Sequence, residues 1–417
     1  MSCIEQIGGV KLTELAREFG TPLYVYEIDK VDQRFNMIKD FGTIRYALKA
    51  CSNISFLNHI RRLGAYVDCV SAGELKRAEK AGFQIGNGSH QVVFTCDIFD
   101  NQTLKIVSEK QIPVNVGSLD MIEQFGPVAK LKEITLRINP GFGHGHSQKT
   151  NTGGESSKHG IWHGDLSKAI ELANKWSIKI TGLHMHIGSG TDLKHLSEVC
   201  EKFIETARQI GPQLEMISAG GGLPIPYRET DQEIDLSGYK QLWWDVKAKL
   251  ENDFKHSLRL ETEPGRYLSA ESGNLVSEVR AIKNQGSKKF ALLDAGFSDL
   301  ARPIMYGSYH PVAVCSQNKS SVMEDVVLAG PLCESGDVFT QKEGGYVETR
   351  NLPKLEIGDL VVLRNAGSYG AVMASNYNSR VLAPEIFVKD GKATLVRNRQ
   401  SIESLIDLEN LVDFNLS

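Results

Sequence analysis

The chain has 417 residues, 51 acidic against 47 basic, for a net charge of −4 and a hydrophobic content of 41%. That length calls for two domains, or for one barrel with a substantial appendage. Charge so nearly balanced, with no long single-sign block, gives no reason to expect nucleic acid or an anionic membrane as partner, and no run approaches the roughly 20 apolar residues of a membrane span. The start, Met1-Ser2-Cys3-Ile4-Glu5, has neither a basic n-region nor an apolar h-region, so no secretory signal is expected. Seven cysteines, an odd number with no Cys-x-x-Cys pair, fit reduced thiols in a cytoplasm better than a disulfide framework.

Residues 11–20 read as a short helix with Gly20 as its stop, and Pro22-Leu23-Tyr24-Val25-Tyr26 as an isolated strand. A regular alternation then begins. Strand-like runs fall at Ile44–Lys49, Ala65–Val70, Val92–Cys96, Pro113–Gly117, Ile134–Asn139, Ile180–Ile187, Leu214–Ala219 and Leu258–Glu263. Amphipathic stretches such as Ser52–Leu63, Ala72–Ala81, Leu166–Trp176, Leu193–Ile210 and Leu242–Phe254 separate them. Eight βα units in about 250 residues predict a (β/α)8 barrel. An open doubly wound sheet is the runner-up, but it would gather its unusual residues at one switch point.

After Gly265 the pattern changes to short β-rich runs, among them Leu275–Ile282, Lys289–Leu293, Val312–Cys315, Asp325–Leu328, Leu360–Leu363, Glu385–Val388 and Ala393–Val396. These predict an antiparallel sandwich or small barrel, with the N-terminal strand near Tyr24 pairing into it. The expected division is a barrel over 27–267 and a β domain from 1–26 and 268–417.

In such a barrel the chemistry gathers at the C-terminal ends of the strands. The first strand, Thr43-Ile44-Arg45-Tyr46-Ala47-Leu48, places Ile44, Tyr46 and Leu48 on one face and ends on Lys49. A lysine among apolar neighbours loses solvation of its ammonium, and the free amine forms Schiff bases with carbonyls such as the aldehyde of pyridoxal phosphate. A lysine snorkelling into water is the plainer reading. Asp68 lies in the second strand, and His184 and His186 on the sixth. Six of the eleven histidines fall between His144 and His186, which admits a metal site, but no carboxylate is placed to complete a hydrolase centre; a ring stacked on a planar cofactor is the alternative. Gly220-Gly221-Gly222 after the seventh strand allows close approach to an anion, where these barrels commonly bind phosphate. Glu263, before Pro264-Gly265-Arg266, is a carboxylate in need of a cation, either a protonated pyridine nitrogen or an arginine.

Together, Tyr46-Ala47-Leu48-Lys49-Ala50, His184-Met185-His186-Ile187-Gly188-Ser189, the glycine run and Glu263-Pro264-Gly265-Arg266 resemble the fold-type III pyridoxal phosphate enzymes, which join a (β/α)8 barrel to a β domain. Three later stretches narrow the resemblance to the diaminopimelate decarboxylases: Ala301–His310, Gly330–Asp337 and Ser375–Arg380. It runs from about Tyr24 to Arg380. It implies decarboxylation of meso-diaminopimelate to L-lysine, with arginine or carboxynorspermidine as alternative substrates. Lys49 would bond to pyridoxal phosphate and His186 stack on it. Ser189, Gly221 and Gly222 would take its phosphate and Glu263 its ring nitrogen, with Asp68, Pro264 and Gly265 lining the site. Arg266, Arg302, Tyr306, Glu334 and Tyr377 would be substrate ligands, with Arg266 and Tyr377 also touching the cofactor. Cys333 would be the proton donor. The family's sites are completed across a homodimer, with Cys333 and Glu334 from the neighbouring subunit. The chain departs from the family's usual asparagine at Cys51, phenylalanine at His159 and aspartate at Asn365.

Overall fold

The computed structural model describes residues 3–143, 152–186, 188, 193–316, 318 and 320–412. The chain divides into two compact units, Asp32–Ser269 and the pair Met1–Val31 with Ala270–Ser417. In the first, eight strands run parallel in chain order: Thr43–Ala47, Tyr66–Cys69, Val92–Cys96, Val114–Val116, Glu133–Asn139, Lys179–His184, Met216–Ser218 and Arg259–Thr262. Lys179–His184 pairs on both sides, and Arg259–Thr262 pairs back onto Thr43–Ala47, so the sheet closes into a barrel. This excludes the open sheet. A two-residue strand, Ile161–Trp162, adds beside Ile138 and Asn139, where the sequence shows no strand-like run. Polar caps start the helices that follow the early strands. Asn53, Ser71, Asp100 and Ser118 each accept a bond from a first-turn backbone N–H, of Ile54–Arg62, Ala72–Lys80, Asn101–Lys110 and Leu119–Phe125 respectively.

The first strand is buried on both faces. Ile44 and Tyr46 are buried, but so is Arg45, because a closed parallel sheet has helices on one face and a filled interior on the other. Arg45 grips Glu261 on the eighth strand with two bonds, Nε to Oε2 at 2.7 Å and Nη2 to Oε1 at 2.9 Å. Its Nη1 donates to the carbonyls of Val67 and His90, and Arg259 Nε shares Glu261 at 2.8 Å. Both Arg45 and Glu261 side chains are only 2% exposed. The ladder joining these strands is two residue pairs long, Glu261 with Thr43 and Thr262 with Ile44.

In the second unit, Leu23–Glu27 lies between Gly273–Gln285 and Glu385–Lys389, as the N-terminal strand was expected to do. The strand order is Arg350–Pro353, Met323–Ala329, Lys288–Leu293, Gly273–Gln285, Leu23–Glu27, Glu385–Lys389 and Lys392–Arg397, with Leu360–Leu363 on Gly273–Gln285 and Val312–Cys315 on Leu360–Leu363. Most pairings are antiparallel; two are parallel, Lys288–Leu293 with Met323–Ala329 and Leu23–Glu27 with Glu385–Lys389. The 13-residue strand Gly273–Gln285 serves two ladders. Its first half pairs with Leu23–Glu27 and Leu360–Leu363, and after a bulge near Val279 its second half pairs with Lys288–Leu293. A bulge bends one strand from sheet to sheet in this way. The core beneath includes Leu12, Leu15, Leu23, Val25, Val276, Val362 and Ile386. Among the described residues no helix is long and apolar enough to cross a membrane.

Removing one partner of a buried pair leaves an uncompensated charge at a cost of roughly 3–5 kcal/mol. Arg45→Met is therefore expected to lower unfolding free energy by about 3 kcal/mol, the low end, because Arg259 still faces Glu261. Urea unfolding of the variant measures this, and a loss under about 1 kcal/mol, the value of an exposed pair, contradicts it.

Candidate active site

The first barrel strand stops at Ala47, and Leu48–Ala50 forms a single 3-10 turn. Leu48 and Ala50 are buried in that turn, but Lys49 is exposed at the barrel mouth. The expected apolar surround is thus replaced by solvent on one side and by charge on the other, since Lys49 acts electrostatically on Asp68, Glu74 and His186. The turn is seated against the end of the eighth strand. A Cβ on Gly265 would lie 3.2 Å from the Cβ of both Ala47 and Ala50, so glycine lets the Glu263-Pro264-Gly265 segment abut the turn that presents the lysine.

Glu263 follows the eighth strand, with its side chain 11% exposed and its Oε2 3.1 Å from His184 Nε2. Its bonded partner in the single chain is therefore a histidine, where an arginine was one expectation. Burial pushes the Glu263 carboxyl up, but the bonded His184 ring, with His186 and Arg137 nearby, outweighs burial and holds it at about 2. Burial, and then the charge of Arg137, push the His186 imidazole well below its ordinary value; a neutral ring stands there at neutral pH. The Asp68 carboxyl goes the other way. Burial first, then the negative charge of Glu263, raise it to about 8, with Lys49 opposing. Two carboxyls at one mouth are thus driven to opposite protonation states.

The three glycines are needed where strand ends converge. A Cβ on Gly220 would stand 2.6 Å from the Met185 carbonyl oxygen, and one on Gly221 2.7 Å from that of Glu263. Gly220 and Gly222 have φ of +61° and +109°, where other residues are strained. Arg266 donates from Nη1 to Tyr227 Oη at 3.0 Å. Ser189, His144 and His146 lie outside the described residues. Among the described residues no group of three or more His, Cys, Asp or Glu is arranged to hold a metal ion.

Sequence reasoning overlooked Arg137, buried in the fifth strand and acting on both Glu263 and His186. Its signal was a charge inside the otherwise strand-like Ile134–Asn139. It also overlooked Asn139, whose amide bonds both the N–H and the carbonyl of Gly154 and so fastens the segment beyond the fifth strand. Thr152 Oγ1 on that segment donates to the His186 carbonyl at 3.0 Å.

The remaining candidates sit in the β unit. Arg302 is 6% exposed and donates to His310 Nε2 at 3.1 Å, while His310 Nδ1 donates to the Arg364 carbonyl. Tyr306 ends the short helix Arg302–Tyr306 and is half-buried. Cys333, Glu334 and Tyr377 are exposed, with the Tyr377 ring 5.2 Å from that of Phe297. The departures from the family pattern have local accounts. His159 Nδ1 lies 2.6 Å from Asp97 Oδ2. Cys51 is buried, and its carbonyl accepts from Tyr46. Asn365 has φ +55°, which asparagine and aspartate both tolerate.

The model of the pyridoxal-dependent decarboxylase, pyridoxal binding domain, matches residues 27–270. The chain is 48% identical over 404 residues to the diaminopimelate decarboxylase of Escherichia coli (strain K12), covering 96% of each chain. A crystal structure of diaminopimelate decarboxylase superposes with a TM-score of 0.92 at 48% identity, covering 95% of this chain and 96% of that one. The Helicobacter pylori diaminopimelate decarboxylase complexed with L-lysine superposes at 0.86 with 32% identity, covering 95% and 98%.

Asp68 has an ordinary value of 3.8 and a folded value of about 8. A group raised on folding contributes stability that is full below its unfolded pKa and lost as pH rises through the folded one. In the cofactor-free protein, Asp68→Asn should therefore raise the thermal midpoint relative to the parent by more at about pH 8 than at about pH 5. Unfolding scans at the two values check this, and an equal or reversed difference contradicts it.

Proposed function

The chain belongs to the pyridoxal-dependent decarboxylases, within the diaminopimelate decarboxylase family, and we propose that it converts meso-2,6-diaminopimelate to L-lysine and CO2, the closing step of lysine biosynthesis. The observation that carries this reading is the pairing of an exposed Lys49 amine with a Glu263 carboxylate held at about 2 at the same barrel mouth.

The mouth fits pyridoxal phosphate on its own chemistry. Asp68 Oδ1, His184 Nδ1 and His186 Nδ1 are buried with no bond from the described residues, so polar groups are left for a ligand that offers donors and acceptors. Glycines 220 and 221 let the backbone of neighbouring strand ends approach where a Cβ would collide, and their own backbone suits a phosphate. Lys49 would hold the aldehyde, Glu263 the protonated ring nitrogen, and His186 would lie against the ring. Gly221, Gly222 and Ser189 would take the phosphate, with Asp68, Pro264 and Gly265 lining the site. When bound, the cofactor supplies an electron sink for the pair released as the Cα–carboxylate bond breaks.

The chain's own residues then decide which bond breaks and where the proton goes. The bond that lies perpendicular to the ring is the one that cleaves, so the grip on the distal end of the substrate sets the reaction by orientation. Diaminopimelate carries a second carboxylate and ammonium there. Arg266 and Arg302 suit the carboxylate, since a guanidinium can fork onto two oxygens; Glu334 suits the ammonium, and Tyr306 and Tyr377 complete the grip. Arginine as substrate has no distal carboxylate for two guanidiniums to hold. Cys333 Sγ gives its proton to the carbon from which CO2 departs, and its exposure suits an acid that must reach a substrate. The active unit is a homodimer, with Cys333 and Glu334 of one subunit serving the other. All seven cysteines are free thiols, in keeping with a cytoplasmic setting.

The purified protein should be yellow and release CO2 from meso-diaminopimelate, with L-lysine as product, in preference to arginine. Lys49→Ala should abolish both the visible absorbance and turnover; turnover like the parent's would end the proposal. Cys333→Ala should slow turnover with cofactor still bound, whereas loss of cofactor would make the cysteine structural.

A further inference from the structure

The segment that bears Cys333 is held from two sides by groups to which neither the sequence motifs nor the family resemblance gives a role. On one side is Asp337, a carboxylate 4% exposed. Its Oδ2 accepts the Leu332 N–H at 2.8 Å and its Oδ1 the Phe297 N–H at 2.7 Å, so one side chain joins the cysteine segment to the 294–299 turn. The fit is close. A Cβ on Gly330 would fall 2.2 Å from Asp337 Oδ2, and one on Gly296 3.0 Å from it. On the other side is Asn378, whose Oδ1 accepts the backbone N–H of Cys333 itself at 2.8 Å. Asn378 and Ser379 both have φ of +54°, a left-handed pair that asparagine adopts far more readily than most residues. The circuit closes through rings, since Phe297, whose N–H Asp337 holds, packs on Tyr377, the neighbour of Asn378.

We propose that Asn378 and Asp337 are positioning residues for the proton-donating step: by fixing the backbone N–H groups of Leu332 and Cys333, they set where the Cys333 thiol stands. The inference rests on the reading of Cys333 as the acid. The step itself moves one proton from Sγ to the substrate carbon, and the thiolate left behind regains a proton from water. An exposed side chain on an unfastened loop spreads over many positions, and a displacement of about 1 Å at a reacting group costs up to about a hundredfold in rate. Two backbone anchors beside one thiol remove that spread. Neither residue need touch substrate or cofactor for this.

The test is a double-mutant cycle on the holoenzyme, with CO2 release from meso-diaminopimelate as the assay. Asn378→Gly removes the acceptor without straining the left-handed backbone, and Asn378→Asp keeps an acceptor oxygen. We expect Asn378→Gly to lower kcat by about tenfold with KM changed less than about twofold, and Asn378→Asp to restore most of the rate. In a Cys333→Ala background, Asn378→Gly should cost nothing further. Asp337→Asn, which turns an amide donor toward one of the two N–H groups, should show the same dependence on Cys333; the exposed Asn378 series stands by itself should that buried substitution fail to fold. An equal loss in both backgrounds, or a loss carried by KM, overturns the positioning role while leaving Cys333 as the acid. Full turnover by Cys333→Ala alone overturns the acid reading and this inference with it.

Discussion

The barrel closes over a short seam, and the buried pair of Arg45 with Glu261 holds it. Only two residue pairs of ladder join the first strand to the eighth, so the bidentate bond beneath them ties together strands that backbone pairing alone joins weakly. Directly beyond that seam the same two strands deliver Lys49 and Glu263. Gly265 brings the two ends into contact by the absence of a Cβ. The lysine and the carboxylate are therefore referenced to each other through a buried joint, which is how a site keeps its geometry while its loops vary.

Electrostatics at the mouth follow from the same closure. Burial raises both carboxyls at the mouth, and the charges beside each then part them. Glu263, bonded to His184, stays ionised down to about pH 2, and that negative charge then helps hold the Asp68 proton up to about 8. Arg137 and burial keep His186 without a charge. One anion, one neutral acid and one neutral ring around an exposed amine suit a flat cofactor whose ring nitrogen is cationic. That constellation is a property of the folded barrel, and no single residue carries it.

Much of this was legible in the order of residues. Strand and helix alternate with clear punctuation, and helices do follow the first two strands close to the expected Ser52–Leu63 and Ala72–Ala81. Residue types at strand ends stood out because a charged or glycine-rich end to an apolar run has few structural uses. Facing was harder to read. Alternation assumes one wet face, and in a closed barrel both are covered, so Arg45 is buried along with Ile44 and Tyr46 on either side of it. The first strand ends at Ala47, two residues before Lys49, which stands exposed on the turn beyond it. Contacts between distant loops left no local trace. Nothing near Cys333 in sequence announces Asn378, 45 residues on, and the parallel pairing of Leu23–Glu27 with Glu385–Lys389 joins segments from opposite ends of the chain.

Borohydride reduction of the purified holoenzyme, followed by peptide mapping, tests the central claim most directly, because it fixes the cofactor to whichever amine carries it. The account predicts one pyridoxyl-labelled peptide, with the label on Lys49. A label on another lysine, or a protein that takes up none, would contradict it.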